Sequence, residues 1–326
     1  MKTIQDIAKI ANVSKSTVSR YLNGGSVSKP MQEKLARIIG ETGYRPNKFA
    51  QSLRAKRTAM IGAIVPRLTS RSAMQTLSGL DAYLRERSHQ LLIVNADLSA
   101  EREIESLYAM AKQKVDGIVL FATVITDAHV SAIREIGIPV ILLGQRCEGI
   151  PSLVYDDYKA GLELAGYVAA QGYRDAVYIG VTPEDEAIGV LRRRGIEDGL
   201  SAGGVRVTAY ETGFEMEAAA QTAAEILSAH TPDIIMCATD EMAIGALKAI
   251  RDAGLSVPQD IGITGFGGYS LASAVSPGLS TVRFAFREAG AEAGCALLGI
   301  LAGEAPAECS SLQHELLIQE SAVKDS

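Results

Sequence analysis

Basic and small polar side chains gather on one face of a short helix that is predicted to begin after Ser14. Lys15 and Ser16 lie in its first turn, and Arg20 lies one turn further along the same face. Lysine can donate to O6 and N7 of guanine, and donors carried on a helix can reach base edges in the major groove of DNA. We therefore predict that these three residues read bases; the alternative is an ordinary solvated helix face.

The other polar residues of this helix suit a different task. Thr17, Ser19 and Asn23 have short side chains that can bond phosphate oxygens, and such contacts fix position without reading sequence. Ser14 and Thr17 are equally suited to capping the helix and bonding nearby backbone groups. The sequence leaves both interpretations of these two residues open.

Three short helices are predicted to position these side chains. Thr3 and Asp6 form a capping-box pattern, after which apolar residues recur at helical spacing. Asn12 supplies the turn before the second helix, because asparagine tolerates a left-handed backbone. A third helix is predicted between Ser28 and Gly43. Two helices joined by a tight turn and supported by a third form a helix-turn-helix unit.

The charge of the chain is divided unevenly. Residues 1–57 carry 12 Lys/Arg against 3 Asp/Glu, whereas the remainder carries 20 against 35. The first segment is therefore +9 and the rest −15, which together give the net charge of −6. A basic segment joined to an acidic body is typical of a protein that binds nucleic acid.

The composition of the chain excludes several other classes of protein. Hydrophobic residues make up 47% and charged residues 21% of the 326 positions, as in globular proteins long enough for two or three domains. No apolar run reaches the roughly 18 residues that a membrane span needs, and charged residues interrupt the region where a signal peptide would lie. We therefore expect a cytoplasmic protein with no membrane partner. The cysteines and histidines show no metal-ligand spacing, and no metal or cofactor is expected.

From residue 60 onward, short apolar runs rich in Val, Ile and Leu alternate with amphipathic helical patterns. Continuous apolar strands between helices predict parallel sheets covered on both faces. The number of strands and a weak repeat predict two similar Rossmann-like lobes with a ligand cleft between them. The predicted strands are 60–65, 91–95, 117–121, 140–144, 153–155, 176–180, 205–210, 234–238, 261–266 and 281–284.

The predicted fold class is α/β, with an N-terminal all-α helix-turn-helix domain followed by a two-lobed core. The helix-turn-helix domain covers 1–45, a linker or hinge helix covers 46–58, and the core covers 59–326. Within the core, the first lobe is placed at about 59–156 and 284–309, and the second at about 157–283 and 310–326.

The N-terminal pattern supports a family resemblance. It reads DIA at 6–8, VS at 13–14, TVSRYLN at 17–23 and YRPN at 44–47, followed by Ala50 and Leu53. This pattern resembles the LacI/GalR family of bacterial transcriptional regulators, and the resemblance extends over the whole chain. It implies a periplasmic-binding-protein-like core behind the DNA-binding domain. Asn12 is a departure, because the family commonly has glycine there.

The resemblance also implies how the linker and a second copy take part. In the family, the leucine that matches Leu53 pairs with its dimer mate and wedges into the minor groove, which kinks the duplex. Asn47 and Lys56 are implied to contact DNA beside it. A homodimer on a near-palindromic operator follows, because one short helix reads few base pairs. An ordinary linker contact is the alternative for Leu53.

A sugar or sugar phosphate bound between the lobes is the implied effector. Arg192 matches the family's effector-contacting R-x-x-G pattern, and Arg67 resembles a phosphate-contacting arginine of trehalose-6-phosphate-type members. Together with Arg146, these residues are predicted to converge in the cleft. Arginine forks suit phosphate, which favours a phosphorylated sugar. The alternative is that two of the three arginines lie on the surface.

Four further residues are effector-site candidates. Ser70 and Gln145 follow predicted strands of the first lobe, and Phe284 could stack on a sugar or pack in the core. Asp240 could accept bonds from sugar hydroxyls or cap the following helix. Gly267 stands where the family usually has Asp or Asn, which argues against a neutral sugar bound in the usual family pose.

Enzyme motifs are missing from the sequence. It contains neither the G-x-x-x-x-G-K-[ST] phosphate loop nor the G-x-S-x-G elbow, and no catalytic activity is expected. We predict a repressor of a carbohydrate-utilisation operon that leaves its operator when the effector binds. The alternatives are a corepressor-dependent or global regulator of the same family, and a sugar-binding protein without a DNA role.

Overall fold

The computed structural model describes residues 2–22, 25–44, 57–305 and 309–324. The chain divides into two compact units, Met1–Ala59 and Met60–Ser326. The predicted linker at 46–58 lies outside the described residues, except for 57–58. Four residues predicted to bind DNA also lie outside them: Asn23, Asn47, Leu53 and Lys56.

Three helices surround a small apolar core in the described part of the N-terminal unit. They are α1 (Ile4–Ala11), α2 (Lys15–Leu22) and α3 (Lys29–Thr42). The capping box at Thr3 and Asp6 is present, and Asn12 adopts the left-handed conformation at the turn, with φ of 52°. The fully or nearly buried side chains are Ile7, Ala8, Ala11, Val18, Leu35 and Ile38.

The first lobe of the larger unit is a parallel sheet with helices on both faces. Its strands are β1 (Met60–Val65), β2 (Gln90–Asn95), β3 (Gly117–Leu120), β4 (Val140–Leu143), β5 (Ser152–Tyr155) and β11 (Cys309–Leu312), in the order β11-β5-β4-β3-β1-β2. Its helices are α4 (Arg71–Glu86), α5 (Ala100–Lys112), α6 (Asp127–Ile136) and α12 (Phe286–Ala302). Helices α4 and α12 bury one face of the sheet, and α5 and α6 bury the other.

The second lobe repeats this plan. Its strands are β6 (Asp175–Gly180), β7 (Arg206–Glu211), β8 (Ile234–Cys237), β9 (Gly262–Gly267), β10 (Ser280–Phe284) and β12 (His314–Leu317), in the order β12-β10-β9-β8-β6-β7. Its α-helices are α7 (Asp157–Ala170), α8 (Arg193–Ala202), α9 (Met216–Ala229), α10 (Asp240–Asp252) and α11 (Ser270–Ala274). A π-helix (Glu186–Arg192) precedes α8, and a 3-10 helix (Glu320–Ala322) follows β12.

All ten predicted strands are present, and their bounds agree with the prediction to within one residue at each end. Two strands were missed, β11 and β12, because their sequences CSSL and HELL lack an apolar run. Strand β12 is antiparallel to β10, so the second sheet is mixed rather than wholly parallel.

The chain crosses between the lobes three times, after β5, after β10 and after β11. The second and third crossings lie at higher residue numbers than the sequence analysis predicted. Phe284 ends β10 and therefore belongs to the second lobe, and residues 310–312 belong to β11 of the first lobe. The reason is that a crossing carries no sequence pattern of its own, and β11 and β12, which flank the third crossing, lack an apolar run as well.

Close helix packing in the second lobe depends on glycine. Helices α7 and α8 approach so closely that a Cβ on Gly195 would lie 2.1 Å from the carbonyl oxygen of Tyr158. We expect Gly195→Ala to lower the free energy of unfolding by about 1–3 kcal/mol, because α8 must move. Gly166→Ala, in α7 where nothing lies within 4 Å, is the matched control. It should stabilise by about 0.5–1 kcal/mol. Denaturant titration measures both, and equal effects would contradict the packing argument.

Candidate functional site

The exposed face of α2 presents the side chains predicted to read DNA. Lys15, Ser16 and Arg20 are all exposed. The Ser14 hydroxyl accepts a bond from the Thr17 backbone N–H at 3.2 Å and lies 2.8 Å from the Thr17 hydroxyl. The Ser14 hydroxyl therefore caps the start of α2, which was the alternative interpretation of its role, and the Thr17 hydroxyl bonds to that cap. A phosphate contact remains a prediction for Thr17 and for Ser19.

A cavity lies between the two lobes of the larger unit, where the carboxyl ends of both sets of strands meet. Its empty volume is about 1010 Å³, part of it open to solvent. This position is the one expected for a ligand of facing parallel sheets. Aromatic side chains dominate the wall, and they include Phe121, Tyr155, Phe214, Phe266, Tyr269, Phe284 and Phe286.

Arg192 is a buried cation in the wall of this cavity. Its Nε and Nη2 donate to Asp157 Oδ1 at 2.9 and 2.5 Å, and its Nη1 donates to the Ala238 carbonyl at 2.5 Å. The guanidinium also lies over the rings of Phe266 and Phe284, at 4.8 and 5.3 Å from their centroids. Arg192 is therefore rigidly held, and Asp157 balances its charge.

Arg67 follows β1 and is held more loosely. Its guanidinium lies 4.0 Å from the centroid of the Phe214 ring. Its Nη1 is 3.9 Å from Oε1 of Glu215, which belongs to the second lobe and is largely exposed. Burial lowers the pKa of Arg67, and Glu215 opposes this decrease. Arg67 thus lines the cavity as a stacked, weakly paired cation.

The remaining first-lobe candidates divide into two groups. Ser70 lines the cavity and caps α4, accepting from the Ala73 N–H at 3.3 Å. Gln145 also lines it, and its Nε2 donates to the Thr123 carbonyl at 2.8 Å. Arg146 is exposed and is not part of the wall, because it lies beyond the turn after β4. Of the three arginines predicted to converge, Arg67 and Arg192 line the cavity and Arg146 does not.

Asp240 is directed into the protein rather than into the cavity. Its Oδ2 accepts from the Tyr269 N–H at 2.9 Å, and its Oδ1 accepts from the Thr281 hydroxyl at 2.5 Å. Thr239, not Asp240, caps α10 by accepting from the Met242 N–H. Both interpretations of Asp240 offered by the sequence are therefore corrected. Its carboxylate joins the start of α10 to β10 and to the loop after β9.

The aromatic residues form one cluster at the crossings between the lobes. Tyr155 packs edge-on against Phe284 and Phe286, with ring centroids 5.3 Å apart in both pairs. Tyr269 stacks on Phe286 with centroids at 5.9 Å. Phe284, a predicted effector residue, therefore both lines the cavity and packs in the core. The two alternatives for this residue are not exclusive.

Sequence reasoning missed several residues of the wall. Asp157 is the first residue of α7, two residues after the end of β5, and the sequence analysis did not single it out. Asp185 accepts from the Ile188 N–H at 2.9 Å, and burial raises the pKa of its carboxyl group. Tyr155, Phe214 and the charged side chains of Arg71 and Glu241 also line the cavity. The available signal was their position at or just beyond strand ends or at helix starts.

Among the described residues, no three His, Cys, Asp or Glu side chains come together in a group able to hold a metal ion. Within the same residues, no helix is long and apolar enough to cross a membrane.

Comparison with known proteins identifies the class of protein to which the helix-turn-helix unit and the two-lobed unit belong. Residues 3–47 match the lacI family of bacterial regulatory proteins, and residues 165–322 match the periplasmic binding protein-like domain. The sucrose operon repressor of Staphylococcus xylosus is 42% identical over 294 residues, 90% of this chain and 92% of that protein. Catabolite control protein A of Priestia megaterium is 28% identical over 86% of each chain.

Solved structures agree in fold. The lac repressor dimer bound to operator and the anti-inducer ONPF superposes with a TM-score of 0.92, at 22% identity and over 99% of each chain. A complex of the transcriptional regulator CelR with cellobiose has a TM-score of 0.73 and 25% identity, over 98% of this chain and 100% of that chain.

The chain belongs to the LacI family of bacterial regulatory proteins. It is a DNA-binding regulatory protein, with a helix-turn-helix domain in front of a two-lobed core. The family assignment and fold class predicted from the sequence are thereby confirmed.

Stability should depend on pH through Asp240. Burial raises the pKa of Asp240 from 3.8 to about 6, although bonds from Thr281 and Tyr269 oppose the rise. The folded protein therefore binds this proton more tightly than the unfolded chain does. Its contribution to stability is complete below about pH 4 and is lost as pH rises through about 6.

The measurement is the free energy of unfolding of wild type and Asp240→Asn between pH 4 and 7. We expect the advantage of the wild type to shrink by up to about 3 kcal/mol as pH rises across this interval. A difference that stays constant with pH would rule out titration of Asp240 in this range.

Proposed function

We propose that the cavity binds an uncharged sugar of disaccharide size. The observation that carries this proposal is the balance of charge in the wall, which contains three arginines and three carboxylates: Arg67, Arg71, Arg192, Asp157, Asp185 and Glu241. A phosphate group would need a surplus of cationic donors. The sequence favoured a phosphorylated sugar because Arg67, Arg146 and Arg192 were expected to converge. Three arginines do line the cavity, with Arg71 in place of Arg146, but three carboxylates accompany them.

Shape and chemistry support the same ligand class. Aromatic faces pack on the C–H faces of sugar rings, and the paired side chains of Arg192 and Asp157 retain donors and acceptors for hydroxyl groups. The size of the ligand is proposed from a relative, because the empty volume of about 1010 Å³ includes open solvent. The relative from Staphylococcus xylosus is named for the sucrose operon. Sucrose is therefore the first effector to test here.

In the proposed mechanism, the sugar contacts both lobes and so favours one of two core conformations. Only differential affinity for the two conformations can change the affinity for DNA. We propose that binding of the sugar releases the operator. Corepression is the alternative, in which the sugar-bound form holds DNA more tightly. The chain is proposed to act in the cytoplasm, where its operator lies, and to have no catalytic activity.

The effector proposal is tested by thermal unfolding with sucrose, and with its 6-phosphate as the anionic comparison. We expect sucrose at a hundredfold excess over its Kd to stabilise the core by about 2.7 kcal/mol, and the phosphate to do much less. Phe214→Ala should weaken sucrose binding about tenfold, because one wall of the cavity is lost.

Tyr210→Ala is the control, since Tyr210 lies on β7 outside the wall. It should leave sucrose affinity unchanged. Stabilisation by the phosphate alone, abolished by Arg67→Ala, would support the anionic effector instead.

The DNA-reading proposal rests on the exposed face of α2. Lys15→Ala and Arg20→Ala should each weaken binding to a selected operator by about 1–3 kcal/mol and relax preference at the base each reads. Arg37→Ala removes the same charge from α3, where Arg37 faces Glu41 at 3.9 Å, and is the control. Gel-shift titrations against operator and scrambled DNA separate the effects. Equal losses on both DNAs would show that these residues contact phosphates only.

A further inference from the structure

Two helices begin at opposite sides of the cavity mouth, and an ion pair joins their first turns. Arg71 is the first residue of α4 in the first lobe, and Glu241 is the second residue of α10 in the second lobe. Arg71 Nε donates to Glu241 Oε1 at 2.6 Å. Both side chains line the cavity, and they remain 48% and 30% exposed.

Local structure does not account for Arg71. The start of a helix carries partial positive charge, so a cation there is unfavourable. Helix α4 has no acidic residue in its first turn to compensate. Glu241, in contrast, is well placed at the start of α10 and faces the start of α4 as well. The carboxylate therefore offsets two positive helix ends and one arginine, and it does so only while the lobes are together.

Other contacts across the mouth are weaker. The Arg67–Glu215 pair is 3.9 Å long, and the Glu186 N–H donates to the Thr123 carbonyl at 3.4 Å. The Arg71–Glu241 pair is thus the shorter of the two ion pairs that join the lobes at this cavity. Its separation in sequence is 170 residues, so it cannot serve to stabilise a single helix or loop.

We propose that Arg71 and Glu241 are positioning residues for the effector, acting through the separation of the lobes rather than by recognising the sugar. The proposal rests on the proposed function of the cavity as the sugar site. The ion pair holds the mouth at the width at which a sugar contacts both walls. Loss of either charge lets the lobes separate and weakens sugar binding.

The dependence of sucrose affinity on salt concentration distinguishes an electrostatic role of the Arg71–Glu241 pair from a purely steric one, because a steric role would not change with ionic strength. An uncharged sugar gains or loses no counterions when it binds, so its own affinity is nearly independent of ionic strength. A partly exposed ion pair is screened by salt. Sucrose affinity of the wild type should therefore fall as salt rises. The dependence should be smaller in Arg71→Gln and Glu241→Gln, where only the longer Arg67–Glu215 pair joins the lobes at the mouth.

The experiment is calorimetric titration with sucrose of the full chain and of four variants: R71Q, E241Q, R71Q/E241Q and the charge exchange R71E/E241R. Each single variant should bind about two- to fivefold more weakly, as for partly exposed pairs. The double variant should be no weaker than the singles, because one interaction is lost in all three. The charge exchange should recover affinity. Asp252→Asn breaks an ion pair within α10 and is the control, with no expected effect.

Several results would overturn the proposal. Additive losses in R71Q/E241Q would mean that each residue contacts the sugar on its own. A loss in E241Q alone, or no recovery in the charge exchange, would mean that the pair does not act as a unit. A sucrose affinity of the wild type that does not change with salt concentration would contradict the proposed role of the ion pair directly.

A measurement without ligand keeps this inference separate from the proposed function. The Glu186 amide bonds across the mouth, so its hydrogen exchange reports lobe separation. It should exchange faster in R71Q and E241Q and return towards the wild-type rate in R71E/E241R. If sucrose does not bind the wild type, the proposed effector is wrong, but the exchange rates still test whether the ion pair holds the lobes together. Unchanged exchange of the Glu186 amide in both single variants would overturn the proposed role of the ion pair.

Discussion

The pairing of Arg192 with Asp157 is the interaction on which the proposed sugar site depends. A guanidinium buried to this degree needs a counter-charge, because an uncompensated ion in a low-dielectric interior is very costly. Burial raises the pKa of Asp157, and the adjacent guanidinium opposes that rise. The same carboxylate fixes the direction of the arginine. Since removal of one partner would leave the other buried and unpaired, the two residues behave as one polar element of the wall.

This element lies where the lobes are joined. Asp157 begins α7 directly after the first crossing, and Phe284, which lies over Arg192, ends β10 directly before the second. Tyr155 and Phe286 pack against Phe284 from the first lobe. The residues that would hold a sugar are therefore next to the segments that connect the lobes. A ligand seated against them can shift the relative orientation of the lobes if its contacts differ between two orientations.

The sequence predicted the strands well because each is a continuous apolar run between helices, whereas β11 and β12 are short and polar. It also placed Arg67, Gln145 and Phe284 correctly at strand ends. Side-chain direction beyond a strand end follows no periodicity, which is why Asp240 and Arg146 were misplaced. Asp157 and Arg192 are 35 residues apart, on different elements, so their pairing has no local signature.

The magnitudes indicate which contacts can carry an allosteric signal. Coupling between an effector and DNA usually amounts to about 1–3 kcal/mol. A partly exposed ion pair such as Arg71–Glu241 contributes about 1 kcal/mol at most. Aromatic pairs contribute about 0.5–1.5 kcal/mol each beyond their buried area, and Tyr155–Phe284 and Tyr269–Phe286 both join one lobe to the other. The aromatic cluster at the crossings can therefore supply most of the energy that distinguishes two lobe orientations. The ion pair at the mouth adjusts that balance without determining it.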